Sequence, residues 1–115
     1  MIYSLSGDLV SKKEGFIVLE TGGIGFKVFV SPRALQNLPQ RGEKIKIFCS
    51  LYSRENGEFE LYGFLSETEL YLFNKLNTVG GIGPKTALGL LGTAEVNQLI
   101  AAVNQGKTEL LTRAA

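Results

Sequence analysis

The feature that most constrains this chain is a change of hydrophobic period near residue 65. Before it, apolar and polar residues alternate, most clearly in Lys44-Ile45-Lys46-Ile47 continuing through Cys49 and Leu51, and in Ile24, Phe26, Val28 and Val30. A period of two sends one face of a strand to a core and the other to water. Strands are therefore predicted at Ile2–Val10, Phe16–Glu20, Ile24–Val30, Ile45–Leu51 and Phe59–Phe64, with Lys27, Lys44 and Lys46 on wet faces. After Phe64 the period becomes helical. Ser66-Glu67-Thr68-Glu69 reads as a capping box, and Leu70, Phe73 and Leu76 follow, with Leu72 and Val79 widening the apolar stripe.

The connections carry their own signals. Gly22-Gly23 separates the second and third strands, and Asn56-Gly57 reads as a two-residue hairpin turn. Ser31-Pro32 looks like an N-cap with proline at the first helical position, opening a short helix through Leu38. Gly80-Gly81-Ile82-Gly83 ends the first long helix and Pro84 opens another, carrying Ala87, Leu88, Leu90 and Leu91. Gly92-Thr93 ends that one and caps a helix from Ala94 to Asn104, and a last turn or two spans Thr108 to Arg113. Five short strands with one helix between the third and fourth match an OB-type barrel, and a small SH3-like barrel fits the strand count nearly as well. The expected class is α+β, with a five-stranded barrel over residues 1–64 and a small helical domain over 65–115.

Composition narrows the chemistry. The 115 residues include no histidine and one cysteine, so imidazole catalysis, the common zinc sites and an intrachain disulfide are excluded. Cys49 reads as a buried structural thiol of a reducing cytosol. No complete Gly-x-x-x-x-Gly-Lys-Ser/Thr phosphate loop is present, since Gly106-Lys107-Thr108 has Ala101 where the first glycine belongs, no cofactor is implied, and an enzyme is not expected. Met1-Ile2-Tyr3-Ser4 has no signal-peptide character, and no apolar run is long enough for a membrane span. The formal charge of +1 is far from the basic balance of most nucleic-acid binders. Any DNA affinity must come from local geometry or from several copies acting together.

One stretch supplies such geometry: Leu76-Asn77-Thr78-Val79-Gly80-Gly81-Ile82-Gly83-Pro84-Lys85-Thr86-Ala87. It reads as helix, glycine hairpin, helix. Gly81 and Gly83 are expected to adopt backbone angles other residues resist, turning amides outward beside the free N–H groups of the next helix. Lys85 adds a formal charge, Ile82 plugs the helix pair, and Ala87 lets the helices approach. Gly80, Gly81, Ile82, Gly83, Lys85 and Thr86 are the candidate phosphate-binding residues, reading backbone rather than base sequence. The bland alternative is a sharp interhelical turn. The spacing of Val79, Gly81, Ile82, Gly83, Lys85 and Ala87 is similar to the helix-hairpin-helix motif.

With this hairpin, the chain resembles the RuvA family of Holliday-junction proteins. The resemblance is carried by the opening Met1-Ile2 strand, by Gly22-Gly23-Ile24-Gly25-Phe26, by Leu61-Tyr62-Gly63-Phe64 and by Gly81-Ile82-Gly83-Pro84-Lys85, in that order. It implies an OB barrel followed by helices, assembled as a cytoplasmic homotetramer that binds four-way junction DNA in recombination and repair. The family's subunit is not an ATPase. A separate C-terminal domain recruits the RuvB-type motor, and that domain lies outside this sequence, so the motor is not expected to bind this stretch. The family's second glycine hairpin is expected just after Leu110-Leu111-Thr112-Arg113, where this sequence stops at Ala115. Repetition of weak sites around a tetramer would offset the low net charge.

The family also places two adjacent acids in the loop Arg54-Glu55-Asn56-Gly57, forming an acidic pin at the tetramer centre. Here Glu55 is present, Asn56 stands where the second acid is usual, and the loop runs about one residue longer. Other candidates read as structural. Glu58 and Glu60 suit a solvated strand face, and Phe16, Phe26, Phe29, Phe48 and Tyr52 suit core or interface better than base stacking. Lys12-Lys13 suits a solvated turn. A competing function is a structural oligomerisation module with no DNA contact of its own.

Overall fold

The computed structural model describes residues 2–93 and 96–104. Five strands, β1 (Ser4–Lys13), β2 (Phe16–Thr21), β3 (Ile24–Phe29), β4 (Lys44–Ser53) and β5 (Phe59–Phe64), close a barrel in the order β1-β2-β3-β5-β4. Helix α1 (Pro32–Asn37) lies between β3 and β4, and α2 (Glu67–Leu76), α3 (Pro84–Thr93) and α4 (Val96–Asn104) follow. This is the OB-type arrangement. All pairings are antiparallel except β3 with β5, where Val28 lies opposite Leu61 and Phe29 opposite Tyr62.

Turn chemistry explains the meander. Gly22 and Gly23 both take positive φ, +59° and +81°, and join β2 to β3 as a two-residue loop between the paired Thr21 and Ile24. β1 is displaced from its predicted span. It starts later and continues through Ser11, Lys12 and Lys13, because its first half pairs with β4 and its second half with β2. A bulge at Val10 bends the strand between the two partners. Lys12 and Lys13 are thus strand residues rather than a turn, and Lys12 Nζ reaches the carbonyls of Leu38 and Pro39 at the end of α1.

Inward residues Leu9, Ile17, Leu19, Val28, Ile47, Cys49 and Leu61 fill the barrel with Ala34 and Leu38 from α1. Gly63 also faces inward. A Cβ there would stand 2.6 Å from Val28 Cγ1, so β5 can close on β3 only without a side chain.

The outer face of β5 is covered rather than wet. Tyr62 and Phe64 join Leu72, Phe73, Leu76, Ala87 and Leu91 in a second core, with Phe29, Phe48 and Tyr52 packed against it. Phe73 stacks on Tyr62 at 5.1 Å and leans on Phe64 at 4.8 Å, so truncating it to alanine would cost about 3–5 kcal/mol. These aromatics are therefore packing residues. Phe26 belongs to the barrel core, and Phe16 meets Phe29 edge-on at 6.4 Å.

The helices start as their sequences dictate. Ser31 Oγ accepts from Ala34 N, and Ser66 Oγ accepts from Glu69 N at 3.2 Å. The Ser66 hydroxyl also donates to Glu69 Oε1 at 3.3 Å. Helix α2 stops at Leu76, short of the predicted Val79, which lies in the following turn and still packs against the helical core. Gly92 and Thr93 end α3 as expected, whereas the predicted helix start at Ala94, the turn at Thr108–Arg113 and the onset of a second hairpin after Arg113 lie outside the described residues. No helix among the described residues is long and apolar enough to cross a membrane.

Candidate nucleic-acid interface

The link from α2 to α3 is held by its own backbone. Thr78 N donates to Lys75 O at 3.1 Å, Val79 N to Leu76 O at 3.0 Å, and Ile82 N to Val79 O at 3.2 Å. In the last of these turns Gly81 occupies the third position with φ +84°, where an L side chain is strained. Ile82 is buried at 4% exposure and wedges under the hairpin, while Ala87 is fully buried between the helices. Gly83 departs from expectation. Its φ is not positive, and its carbonyl instead accepts the first bond of α3, from Ala87 N at 2.9 Å.

What remains is a set of open donors. Among the described residues, the amides of Gly80, Gly81, Gly83, Lys85 and Thr86 donate to no backbone carbonyl. A Cβ added at Gly80, Gly81 or Gly83 would meet no atom within 4 Å, so this surface is uncovered. Unpaired amides at the start of a helix present positive potential to an anion.

The Lys85 side chain leaves that surface and turns to the barrel. Its ammonium stands 3.2 Å from the centroid of Phe29 and 5.3 Å from that of Tyr62. Burial against these rings holds it below the ordinary lysine range; Glu60 opposes that shift, and the Arg54 and Lys27 charges reinforce it. Lys27 Nζ lies over the same Phe29 ring at 5.1 Å and over Phe16 at 4.5 Å.

Glu60 corrects the expectation of a solvated face. Its side chain is only 14% exposed and accepts from Arg54 Nη1 at 3.0 Å and from Tyr62 Oη at 2.8 Å. Burial alone would raise its carboxyl. The Tyr62 hydroxyl with the Arg54 and Lys85 charges outweighs this and holds it below the usual range. Burial first, and then the hydrogen bond to Glu60 and its charge, push the Tyr62 phenol well above its ordinary value, against a lowering by the Arg54 charge. Glu58 precedes β5 and is exposed, so the two acids do not act as a pair. Burial also pushes the free Cys49 thiol up to about 11, which makes it unreactive.

The loop between β4 and β5 is not the two-residue turn expected from Asn56-Gly57. Gly57 N donates to Arg54 O at 3.0 Å and Arg54 N to Glu58 O at 2.8 Å, leaving Glu55, Asn56 and Gly57 as a three-residue loop. Only Gly57 uses positive φ, +86°, as in a turn followed by a glycine bulge. Asn56 Oδ1 instead accepts from Glu58 N at 3.0 Å. Glu55 and Asn56 are exposed, and with Tyr52, Arg54 and Pro84 they line one groove. The loop between β4 and β5 and the start of α3 therefore border a common concavity. Residue types alone did not reveal Arg54, Glu60 or Lys27, although Glu60 and Tyr62 share a face of β5 by their spacing.

The family described as "RuvA N terminal domain" matches residues 1–63. The chain belongs to the RuvA family. It is similar to the Holliday junction branch migration complex subunit RuvA of Caldanaerobacter subterraneus, with 38% identity over 114 residues, 99% of this chain and 60% of that protein. The subunit of the same name from Dechloromonas aromatica is 43% identical over 105 residues, 91% of this chain and 54% of that protein. That from Neisseria meningitidis is 39% identical over 114 residues, covering 99% and 58%. This RuvA-family chain thus spans at most about 60% of the length of these curated relatives. The similarity runs past the barrel and through the glycine hairpin.

Proposed function

We propose that this chain binds four-way junction DNA by shape and phosphate rather than by base sequence, as a non-catalytic scaffold subunit of a branch-migration complex. The observation that carries this reading is the uncovered hairpin of a RuvA-family chain, with Gly80, Gly81, Gly83, Lys85 and Thr86 amides open at the start of α3. Such donors suit phosphate oxygens, which carry no sequence information. The division of labour assigns barrel and assembly to residues 1–64 and the phosphate hairpin to 65–115. The assembly is a cytoplasmic homotetramer, with Glu55 near its centre as the pin acid and Asn56 as its neutral neighbour. A motor ATPase of the RuvB type acts with the family through parts beyond this stretch.

The test compares a four-way junction, duplex and single strand in a gel-shift assay at low and high salt, with particle mass measured in parallel. Preference for the junction, indifference to scrambling its sequence, and a steep loss with salt are expected. A strong preference for one base sequence would sink the reading.

One observation favours a second reading, a structural oligomerisation module. The Lys85 ammonium packs on Phe29 rather than over the hairpin. In that case Lys85→Glu would leave affinity for junction DNA at low salt unchanged.

A further inference from the structure

We propose that Lys27 and Lys85, converging on the Phe29 ring, form a phosphate subsite that extends the hairpin's DNA contact onto the barrel. The proposal rests on the nucleic-acid reading of the hairpin and adds a barrel residue to it.

Barrel closure creates the site. Phe16 lies opposite Phe29 across β2 and β3, and Tyr62 lies opposite Phe29 across β3 and β5, so Phe16 and Phe29 form a shelf on the outer face backed by the buried Tyr62. Lys27 lies over the Phe16 and Phe29 rings at 4.5 and 5.1 Å, and Lys85 comes down on Phe29 and Tyr62 from α3. Two like charges thus share one aromatic ring.

Neither is neutralised directly. The ion pairs among the described residues are Lys44 with Asp8 and Arg54 with Glu60. Glu60 is the acid that acts on Lys85, and both its oxygens are already engaged by Arg54 and Tyr62. Rings attract each cation but do nothing to reduce the repulsion between the two. A bridging anion does.

The surroundings select the kind of anion. Glu14, Phe16, Phe29, Pro32, Lys85 and Leu88 line a groove beside the shelf, open to solvent and largely apolar, and Lys27 stands over its Phe16 and Phe29 rings. An apolar bed flanked by two point charges suits a sugar–phosphate backbone, in which apolar sugar faces alternate with single charges. Lysine ammoniums accept phosphate without demanding a planar partner. The open amides stand at the start of the helix that carries Lys85, so a strand seated on the hairpin is delivered to the shelf.

The experiment uses the whole chain, with lysine side-chain ammonium resonances followed during titration with inorganic phosphate. Lys27 and Lys85 should shift with one shared midpoint, and Lys27→Gln should abolish the response of Lys85 while Lys27→Arg preserves it. In parallel, Lys27→Gln should reduce the dependence of four-way-junction affinity on salt by about one charge. Because Lys27 is exposed, losing its ring contacts should cost no more than about 1 kcal/mol in unfolding. Junction binding with an unaltered salt dependence and unresponsive lysines overturns the subsite and leaves the hairpin reading standing. A shared phosphate response without junction binding upholds the subsite and removes the junction reading. Absence of both overturns both.

Discussion

The Lys85 ammonium lies 3.2 Å from the centre of the Phe29 ring, which ties the second residue of α3 to the third strand of the barrel. Phe29 is also opposite Tyr62 in the parallel pair that closes the barrel. Closure of the sheet and placement of the hairpin helix are therefore mechanically linked through one ring. Replacing it tests that link. Phe29→Leu keeps apolar volume but removes the ring face, and is expected to lower stability by about 1–2 kcal/mol. In a urea unfolding series the midpoint should fall, and Lys85 should titrate closer to the ordinary lysine range. An unchanged Lys85 titration would show that the ring does not hold the ammonium.

The glycines of the hairpin should separate on substitution. Gly81 sits at φ +84°, so Gly81→Ala strains the backbone by about 1 kcal/mol and disturbs the amides beside it. Gly83 has neither positive φ nor a neighbour within 4 Å of an added Cβ, so Gly83→Ala should be close to neutral in stability. Thermal unfolding of the two variants checks this. If junction affinity falls with Gly83→Ala at unchanged stability, the methyl is obstructing a phosphate rather than the fold.

Glu60 makes stability depend on pH in a definite direction. Its folded carboxyl titrates below the usual range, so it binds its proton less readily in the native state than in the unfolded one. Its contribution is therefore present above the unfolded value, about 4.3, and is lost as pH falls through the folded value. Glu60→Gln should cost about 1–2 kcal/mol near neutrality, where Arg54 loses a charged acceptor. The gap between wild type and variant should close as pH drops below 4. A gap that stays constant with pH would mean the carboxylate charge contributes nothing.

The loop between β4 and β5 allows charge to be changed without changing its turn. Asn56 Oδ1 accepts from Glu58 N, and an aspartate oxygen can accept the same bond. Asn56→Asp should therefore leave stability within about 0.5 kcal/mol while adding an exposed negative charge beside Glu55. Binding to plain duplex should weaken and the junction-to-duplex ratio should rise. Glu55→Gln should move both the other way. If neither substitution alters that ratio in a gel-shift series, the loop does not act on DNA.

Much of this was legible locally. The glycine pair at 22 and 23, the caps at Ser31 and Ser66, the buried Ile82 and the change of period near 65 all depend on neighbours a few residues away. For those, residue type and backbone preference suffice. Asn56-Gly57 predicts a loop one residue shorter than the one at 54–58 because Asn-Gly fits two turn types, and the choice rests on the register of β4 against β5. The composition of the hairpin predicts an unusual backbone at Gly83 that its place at the first bond of α3 does not require. Glu60 looked solvated because its spacing from Glu58 suggested a wet strand face. Which segments cover the outer face of a strand is decided by where the helices pack. The meeting of Lys27, Phe29, Tyr62 and Lys85 is of the same kind. It follows from a parallel pairing between β3 and β5, which are separated by a helix and another strand, and from α3 docking on that seam. Periodicity records which face of an element is apolar. Only closure of the barrel decides which distant charge that face will meet.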